Sequence, residues 1–350
     1  MVRSYQCPGC SAPMEFNGEK QKMVCEHCGT ELTVEELEEI SKFNVDTGEQ
    51  VEGDFTETGE TADFVTFKCS SCGAEILTDE NTSATFCSFC GRPNMVQNRL
   101  TGALAPKHLI PFKINKQSAV GKYREWAKKG LFTPSLFSSN ATIEKITGMY
   151  VPFWMYDYNA RMNLTADCTK VRHSRKGDYE YTYTDHYIVT RDVEAEYDKL
   201  PTDASEKMPD DVMDKVEPYN YNEITDFEMP YLSGYYSEKY NYTAEQLSPR
   251  AEKRIRQYIL DTTKSTISGY ATVNITRQNS MLSKLKAEYM LMPVWILNLR
   301  YNDKDFLFAM NGQTGKIVAD RPLSKGKMIG WYVGLTIVIT AILFLVGRFL

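Results

Sequence analysis

Eight cysteines near the start of the chain are arranged in a repeated pattern that is typical of metal binding. Each repeat contains two Cys-x-x-Cys pairs separated by 14 residues. The first set comprises Cys7, Cys10, Cys25 and Cys28, and the second comprises Cys69, Cys72, Cys87 and Cys90. Four cysteines at this spacing can surround one zinc ion and leave no coordination position for a substrate. The sequence therefore predicts two zinc ribbons, each with one structural Zn²⁺ ion.

Residues beside these cysteines bear on the same sites. A glycine follows the second cysteine in three of the four pairs, where it allows a positive φ and lets backbone N–H groups face sulfur. Ser11 takes that place after Cys10. His27 lies inside the first set and could replace a cysteine, and four thiolates also bind iron. We expect His27 to be exposed and not to be a ligand. We also expect zinc in place of iron, which would leave the purified protein colourless.

The order of these features indicates an α+β protein with two N-terminal zinc ribbons, a body of helices and antiparallel sheet, and one transmembrane helix. The expected segments are zinc ribbon 1 (residues 1–30), a short helix and acidic flexible linker (31–63), zinc ribbon 2 (64–98), a cytosolic body (99–325) and the transmembrane helix (329–347). The ribbons must bring distant cysteines together, so their short strands and turns are the elements that position the chemistry.

The segment between the ribbons is strongly acidic. Residues 31–63 hold 12 acidic residues and one lysine, a local charge of -11 within a chain whose net charge is -6. Thr33 and Glu36 predict a capping box that opens a short helix. Beyond Phe43 the segment lacks apolar periodicity, so we expect a solvated spacer in preference to an acidic recognition tail.

Periodicity in the body predicts alternating helices and strands. The expected elements are a helix over Gln117–Lys129, strands from Val151 and over Tyr179–Val189, a polar loop over Asp198–Asp214, a helix from Ser248-Pro249 to about Lys264, and a meander over Tyr289–Tyr301, Phe306–Asn311 and Lys316–Asp320. Tyr150–Trp154 resembles Leu291–Trp295, and each is expected to open a strand. This similarity indicates an internal duplication of two α+β halves.

A 19-residue run without charge, Ile329–Gly347, predicts a membrane-spanning helix. A helix of this length spans about 28 Å, close to the thickness of a bilayer core. Arg321, Lys325 and Lys327 precede the run, which places the body in the cytosol and the C-terminus outside. No apolar signal peptide opens the chain, and free thiolates suit a reducing compartment. We expect a single-pass, tail-anchored protein of the cell membrane; a buried core helix is the alternative.

Catalytic motifs are absent from the sequence. Gly312–Lys316 lacks the length and hydroxyl of a phosphate-binding loop, and neither G-x-S-x-G nor H-E-x-x-H occurs. Cys168 could pair with His173 or His186 as nucleophile and base, but a lone cysteine in a β-rich stretch is typical of packing. We expect that the protein is not an enzyme.

Charge also argues against nucleic acid as a partner. Residues 1–30 carry three basic and three acidic side chains, and residues 64–98 carry two basic and three acidic ones. Phosphate binding needs clustered Lys and Arg. The many tyrosines between Tyr179 and Tyr242 could stack on bases or sugars, but packing on a half-exposed sheet is favoured.

Several motifs together resemble a known family. They are the twin ribbons, Pro111–Lys113, Val151–Trp154, Pro230–Gly234, Pro293–Trp295, Asn311–Lys316 and the terminal membrane helix. The chain resembles the bacterial transcription-factor-IIB-type zinc-ribbon membrane proteins. Some members of that family are linked to phage-shock and flotillin-like (SPFH) membrane stress systems, and the resemblance implies partners of that kind. The replication-restart helicase label used for such proteins does not fit, because the nucleotide-binding loop is missing.

We therefore expect a membrane-anchored, non-catalytic adaptor or scaffold whose zinc ribbons present a cytosolic protein-binding surface. The alternative is a nucleic-acid-binding zinc-ribbon regulator tethered to the membrane. Binding of partners that depends on an intact ribbon would favour the first function. Submicromolar, salt-sensitive binding to nucleic acid would favour the second.

Overall fold

The computed structural model describes residues 5, 7–12, 14–43, 65–69, 75–78, 95–99, 106–238 and 240–349. In chain order the elements are β1 (Glu15–Asn17), β2 (Lys22–Val24), β3 (Glu31–Leu32), α1 (Val34–Phe43), β4 (Val65–Cys69), β5 (Glu75–Thr78), β6 (Met95–Arg99), β7 (His108–Leu109), α2 (Lys116–Lys128), α3 (Asn140–Ile143), β8 (Thr147–Lys176), β9 (Tyr179–Asp203), α4 (Asp210–Val216), β10 (Thr225–Asp226), β11 (Tyr236–Glu238), α5 (Ala244–Ser265), β12 (Thr272–Tyr301), β13 (Lys304–Asn311), β14 (Ile317–Ala319) and α6 (Lys325–Phe349). The expected mixture of helices and antiparallel sheet is confirmed. The predicted linker beyond residue 43 lies outside the described residues.

The chain divides into two compact units. The first unit contains Met1–Pro152, Ser205–Lys239 and Leu291–Leu350, and the second contains Phe153–Ala204 and Tyr240–Met290. The long strands β8 and β12 contribute residues to both units.

Two sheets build the first unit. One is the small sheet β1-β2-β3, and the other has neighbouring strands in the order β10-β7-β12-β8-β11-β5-β4-β6, with β13 and β14 following from β12. Strand β11 pairs in parallel with β8, whereas β5 pairs with β11, and β4 with β5 and β6, in antiparallel fashion. Strands β4, β5 and β6 therefore join the large sheet through β5.

An aromatic cluster forms the core of the first unit. The Phe112 ring stacks on Tyr235 at 4.1 Å and meets Tyr150 and Trp295 edge-on at 5.0 and 5.3 Å. Phe112 and Tyr150 are fully buried, and Gly312 lets the Phe112 ring approach closely, because a Cβ there would lie 2.6 Å from the ring. Burying such rings removes large apolar areas from water and stabilises the unit.

The second unit contains a long antiparallel hairpin covered by a helix. Strands β8 and β9 pair from Phe153↔Asp203 to Lys176↔Tyr179, with an irregularity near Tyr156. Alternate residues of β8 face helix α5, which buries residues at helical spacing along one stripe. The core of this unit contains Met162, Leu164, Ile255 and Ile259, among others.

Several boundaries differ from the sequence predictions. The helix expected at Ser248-Pro249 begins at Ala244, because Thr243 and Gln246 form a reciprocal capping box one turn earlier. Of the polar loop expected over Asp198–Asp214, only residues 204–209 are irregular, because β9 continues to Asp203 and α4 begins at Asp210. The carboxylate of Asp203 is buried there against Arg250 at 2.7 Å, and this ion pair lets a charged residue remain in the sheet.

One further expectation changes. Leu291 does not open a strand, because it lies inside β12, which already begins at Thr272. On β9 the side chains of Tyr179, Tyr181, Tyr183 and Tyr187 are 40 to 72% exposed, which agrees with the expected half-exposed sheet, and the Tyr187 ring meets Tyr270 edge-on at 5.6 Å. The capping box of Thr33 and Glu36 is confirmed, with reciprocal hydrogen bonds of 2.8 and 3.1 Å at the start of α1.

Helix α6 is long and apolar enough to cross a membrane. Its segment Lys325–Val346 contains a window of mean hydropathy 2.3, and none of that window is buried within the protein, unlike a core helix. The start of α6 is attached to the chain that follows α2: Ser324 N donates to Phe132 O at 2.8 Å, and Lys327 Nζ donates to Thr133 O at 2.6 Å. These hydrogen bonds connect the start of α6 to the rest of the first unit.

Candidate metal centre

The first cysteine set lies at one end of the small sheet. Strand β1 pairs with β2, and β2 with β3, in antiparallel register. Cys7 and Cys10 lie in the turn before β1, and Cys25 and Cys28 lie in the turn after β2. Because β1 and β2 are adjacent and antiparallel, the two turns meet at the same end. We call residues 5–32 the N-terminal cysteine module.

Both turns have the same backbone geometry although their sequences differ. Ser11 N donates to Cys7 O at 2.8 Å, and Gly29 N donates to Cys25 O at 2.9 Å. Gly29 has φ +77° and Ser11 has φ +59°, so the serine adopts the left-handed conformation that the glycine occupies in the other turn. The departure from glycine at this position does not change the shape of the turn.

The four sulfur atoms of the module converge. All four Sγ atoms lie within 4.8 Å of one another, with Cys7 and Cys28 3.4 Å apart and Cys10 and Cys25 3.5 Å apart. Zn–S bonds of about 2.3 Å require tetrahedral sulfur separations of about 3.8 Å. The cysteines are free thiols, and the cluster can therefore bind a metal ion without rearrangement of the fold.

Thr30 is a polar neighbour of the cluster that the spacing of cysteines did not reveal. Its hydroxyl lies 3.1 Å from Cys28 Sγ, and the hydrogen bond from Thr30 is the main reason that the pKa of Cys7 falls to about 6. A backbone hydrogen bond from Ala12 lowers the pKa of Cys10, but bonding to Cys28 and burial outweigh it and raise that pKa to about 12. Such a hydroxyl donor stabilises thiolate in a metal site.

The donor set fits zinc. Cys7 and Cys25 are buried, Cys10 is half-buried and Cys28 is exposed, so a metal ion could enter from the Cys28 side. Four thiolates are a ligand set preferred by Zn²⁺ and would close its coordination sphere. His27 is exposed and is not part of the sulfur cluster.

The second cysteine set is described only in part. The backbone of Cys69 ends β4, where it pairs with Met95 of β6. Cys72, Cys87 and Cys90 lie outside the described residues.

The N-terminal cysteine module packs on the rest of the first unit through its strand β1. Phe16 N donates to Ser233 O at 3.2 Å, and the Ser233 hydroxyl donates to Met14 O at 2.7 Å. The Phe16 ring meets Tyr231 edge-on at 5.0 Å. The module is thus joined to the turn after the 3₁₀ helix Met229–Leu232, part of the Pro230–Gly234 motif.

A second set of contacts joins the turn between β1 and β2 to the segment before α2 and to the first turn of α2. Gln21 Nε2 donates to Phe112 O at 2.7 Å, and Ser118 Oγ donates to Glu19 Oε1 at 2.5 Å. Gly18 lies so close that a Cβ there would be 2.5 Å from Phe112 O. The N-terminal cysteine module and the aromatic core therefore form one packed structure.

The glycine-containing loop Asn311–Lys316 has a structural role. Asn311 Nδ2 donates to Val216 O at 3.1 Å, and Gln313 exchanges hydrogen bonds of 2.7 and 3.2 Å with the backbone of Asn220. Gln313 also donates to Glu223 at 2.6 Å. The hydrogen bond from Lys113 is the largest of the interactions that lower the pKa of Glu223. The side-chain amides of Asn311 and Gln313 form hydrogen bonds with adjacent segments of the same chain. The loop therefore leaves no open phosphate-binding site.

Cys168 belongs to the core of the second unit. It is 1% exposed, and its thiol lies 3.9 Å from Ala166 O. Its cross-strand neighbour is Tyr187, whereas His186 pairs with Thr169 and His173 with Thr182. The packing interpretation of Cys168 is therefore favoured over a nucleophile.

These features define a protein of mixed helix and antiparallel sheet with a four-cysteine cluster that can bind a metal ion and one apolar C-terminal helix. The chain is 43% identical over 341 residues to the uncharacterized protein YdjG of Bacillus subtilis (strain 168), covering 96% of this chain and 94% of that protein. It belongs to the family of YdjG. No family model matches the chain, and no solved structure matches it.

Proposed function

We propose that this protein is a membrane-anchored, non-catalytic adaptor. Two zinc ribbons, each with one structural Zn²⁺ ion, present a protein-binding surface on the cytosolic side of the cell membrane, and the C-terminal helix anchors the chain. The observation that carries the proposal is the four-cysteine cluster in a module packed on the unit that carries the apolar C-terminal helix. Four thiolate ligands leave no position for a substrate, so metal here shapes a surface.

The attachment of the module to the body supports a scaffold. A rigid surface loses less conformational entropy on binding than a flexible one, and therefore binds with higher affinity for the same contacts. The hydrogen bonds of Gln21, Ser118 and Ser233 hold the N-terminal cysteine module in one orientation within the first unit.

The helix supports membrane attachment. Lys325 and Lys327 stand at its start and Trp331 and Tyr332 follow within two turns, an arrangement that suits the cytosolic interface of a bilayer. The adaptor would then act beside the membrane. Protein partners of the phage-shock or SPFH type, in a membrane stress response, are those that the family resemblance implies.

The test is affinity capture of partners from detergent-solubilised native membranes. The wild type is compared with a Cys69→Ser/Cys72→Ser variant and with a Cys7→Ser/Cys10→Ser variant. We expect specific partners with the wild type and their loss from at least one variant. Capture of the same partners by all three proteins would show that the ribbons are not the docking surface, and capture of none would contradict the adaptor function.

A matched control is Cys168→Ser, which changes a buried cysteine outside both sets. It should keep the partners of the wild type. Reporter fusions before residue 5 and after residue 350 test the orientation: a cytosolic N-terminus and an external C-terminus are expected.

A further inference from the structure

A cavity of about 500 Å³ lies in the first unit, between the N-terminal cysteine module and the large sheet. One wall comes from β1, β2 and the turn that follows, and the other from the start of α2, the start of β8 and the turn before β11. Pockets that bind small ligands have volumes of about 300–1,000 Å³. The space is therefore large enough for a side chain and part of its backbone.

The floor of the cavity is apolar. Phe16, Ile146, Tyr235 and Trp295 line it, and each is less than 10% exposed. Trp295 Nε1 already donates to Ile114 O at 2.9 Å, so its polar group is satisfied and the ring contributes an apolar surface. Such a floor favours an aliphatic or aromatic side chain over a charged group.

The rim carries polar groups of both signs, with an excess of negative charge. Glu15 and Glu26 lie on the module side, and Lys116 lies on the α2 side. All three are exposed, so their interactions with a ligand are screened but still select its charge. The two carboxylates against one ammonium group favour a ligand that carries a positive charge.

Carboxamides complete the rim. Asn17 Oδ1 accepts from the N–H groups of Glu19 and Lys20 at 3.1 Å, and Asn115 Oδ1 accepts from Ser118 N at 2.8 Å. Both side chains are thereby oriented, and their NH₂ groups remain as donors. Oriented amide donors suit the carbonyl oxygens of an extended peptide, which a polyamine or a metal ion lacks.

We propose that this cavity binds an extended peptide segment of a partner protein, with one apolar side chain on the floor and an adjacent Lys or Arg at the acidic rim. The inference rests on the proposed adaptor function and names its docking site. Phe16 lies on β1 and Glu26 lies in the turn that carries Cys25 and Cys28, so a metal ion bound by the four cysteines would hold one wall in place. Peptide binding is therefore expected to require the metal.

The test uses the full-length protein in nanodiscs and a phage library that displays random heptapeptides. Peptides enriched on the wild type should share Lys or Arg next to an apolar residue. The most enriched peptide, labelled with fluorescein, is then titrated against variants by fluorescence anisotropy. No enrichment over empty nanodiscs, or enrichment without this pair of residues, would overturn the proposal.

Two rim variants give opposite predictions within the same cavity. Glu26→Gln should weaken binding of the labelled peptide about two- to fivefold, and Lys116→Gln should strengthen it by a similar factor, because exposed charge pairs have modest energies. A purely structural effect would weaken binding in both. Equal affinities for both variants and the wild type would contradict the site, and the metal content of each protein is checked alongside.

A third variant blocks the cavity. Gln117 is an exposed rim residue, and Gln117→Trp should abolish peptide binding, whereas Gln117→Ala should retain it. The failure of this inference differs from the failure of the adaptor function. If partners whose capture depends on the cysteines remain bound to Gln117→Trp, the adaptor function stands and this cavity is excluded as the docking site. If the wild type captures no partners, both proposals are excluded.

Discussion

The side-chain amide of Gln21 donates a 2.7 Å hydrogen bond to the backbone carbonyl of Phe112, although the two residues are 91 positions apart. Gln21 belongs to the turn of the N-terminal cysteine module, and Phe112 is the centre of the aromatic core of the first unit. Gln21 also donates to Gly18 O, so one side chain links the turn to itself and to the core. The N-terminal cysteine module and the aromatic core are thereby connected.

Removal of this amide should loosen the connection. We expect Gln21→Ala to lower the free energy of unfolding by about 1 kcal/mol, because a side-chain hydrogen bond contributes about that much and the Phe112 carbonyl would lose a partner. Urea unfolding followed by Trp fluorescence measures the change. Gln257→Ala, which removes exposed hydrogen bonds to Asp261 on α5, is the control and should change stability by less. Equal changes in the free energy of unfolding would show that the contact with Phe112 contributes no more stability than an exposed hydrogen bond.

Substitutions of two glycines, Gly18 and a control, test how closely the N-terminal cysteine module approaches the rest of the first unit. Gly18→Ala should destabilise by about 1–3 kcal/mol, because the new Cβ would lie 2.5 Å from Phe112 O and force the backbones apart. Gly121→Ala, in the middle of α2 with open space around it, should stabilise by about 0.5–1 kcal/mol. Thermal unfolding of both variants should show opposite shifts, and a neutral Gly18→Ala would refute the tight contact.

Metal content and its structural effect form a third prediction. Elemental analysis should find two zinc ions and no iron in each wild-type chain, and one zinc ion in Cys7→Ser/Cys10→Ser. Loss of the metal should raise amide hydrogen exchange at residues 110–114 of the first unit, because the module that covers them loosens.

Exchange in α5 of the second unit should stay unchanged and serves as the internal control. Unchanged exchange at residues 110–114 after complete metal loss would show that the metal does not stabilise this part of the core.

The carboxylate of Glu223 predicts a pH effect. Its pKa is lowered by the hydrogen bond from Lys113, which lies 2.7 Å away, and by the amides of Gln313 and Asn220. A carboxyl whose folded pKa is depressed stabilises the protein above its unfolded pKa of about 4.3, and this contribution is lost as the pH falls through the folded pKa.

The stability difference between wild type and Glu223→Gln should therefore shrink between about pH 6 and pH 3. Urea unfolding across this range gives the measurement. A difference for Glu223→Gln that stays constant across this range would contradict the ionic contribution.

Nucleic-acid binding is the alternative function that charge disfavours. We expect no submicromolar, salt-sensitive complex in gel-shift titrations at low salt with single- and double-stranded DNA and with RNA, because neither ribbon sequence clusters basic residues. Lys170 lies over the rings of Tyr187 and Tyr270 at 5.4 and 5.1 Å, so Lys170→Ala is the informative variant if binding occurs. Submicromolar binding whose affinity falls as the salt concentration rises would favour the nucleic-acid-binding regulator.

The sequence by itself determined features that depend on local spacing and hydropathy. The cysteine pairs before β1 and after β2 indicated a four-sulfur cluster, because short turns and one antiparallel pair suffice to bring them together. The uncharged run Ile329–Gly347 indicated an apolar helix, since helix length and side-chain hydropathy are read directly from consecutive residues. The capping box at Thr33 is equally local.

Only the tertiary structure decided how distant segments meet. The contact of Gln21 with Phe112, the inclusion of Asp203 in β9 beside Arg250, and the use of Gln313 to hold Asn220 depend on partners remote in sequence. Helix α5 likewise begins at Ala244, four residues before the start predicted at Ser248, because its capping box at Thr243 and its burial against β8 act together. Burial and long-range hydrogen bonds outweigh local propensity, because folding free energy is summed over the whole packed unit.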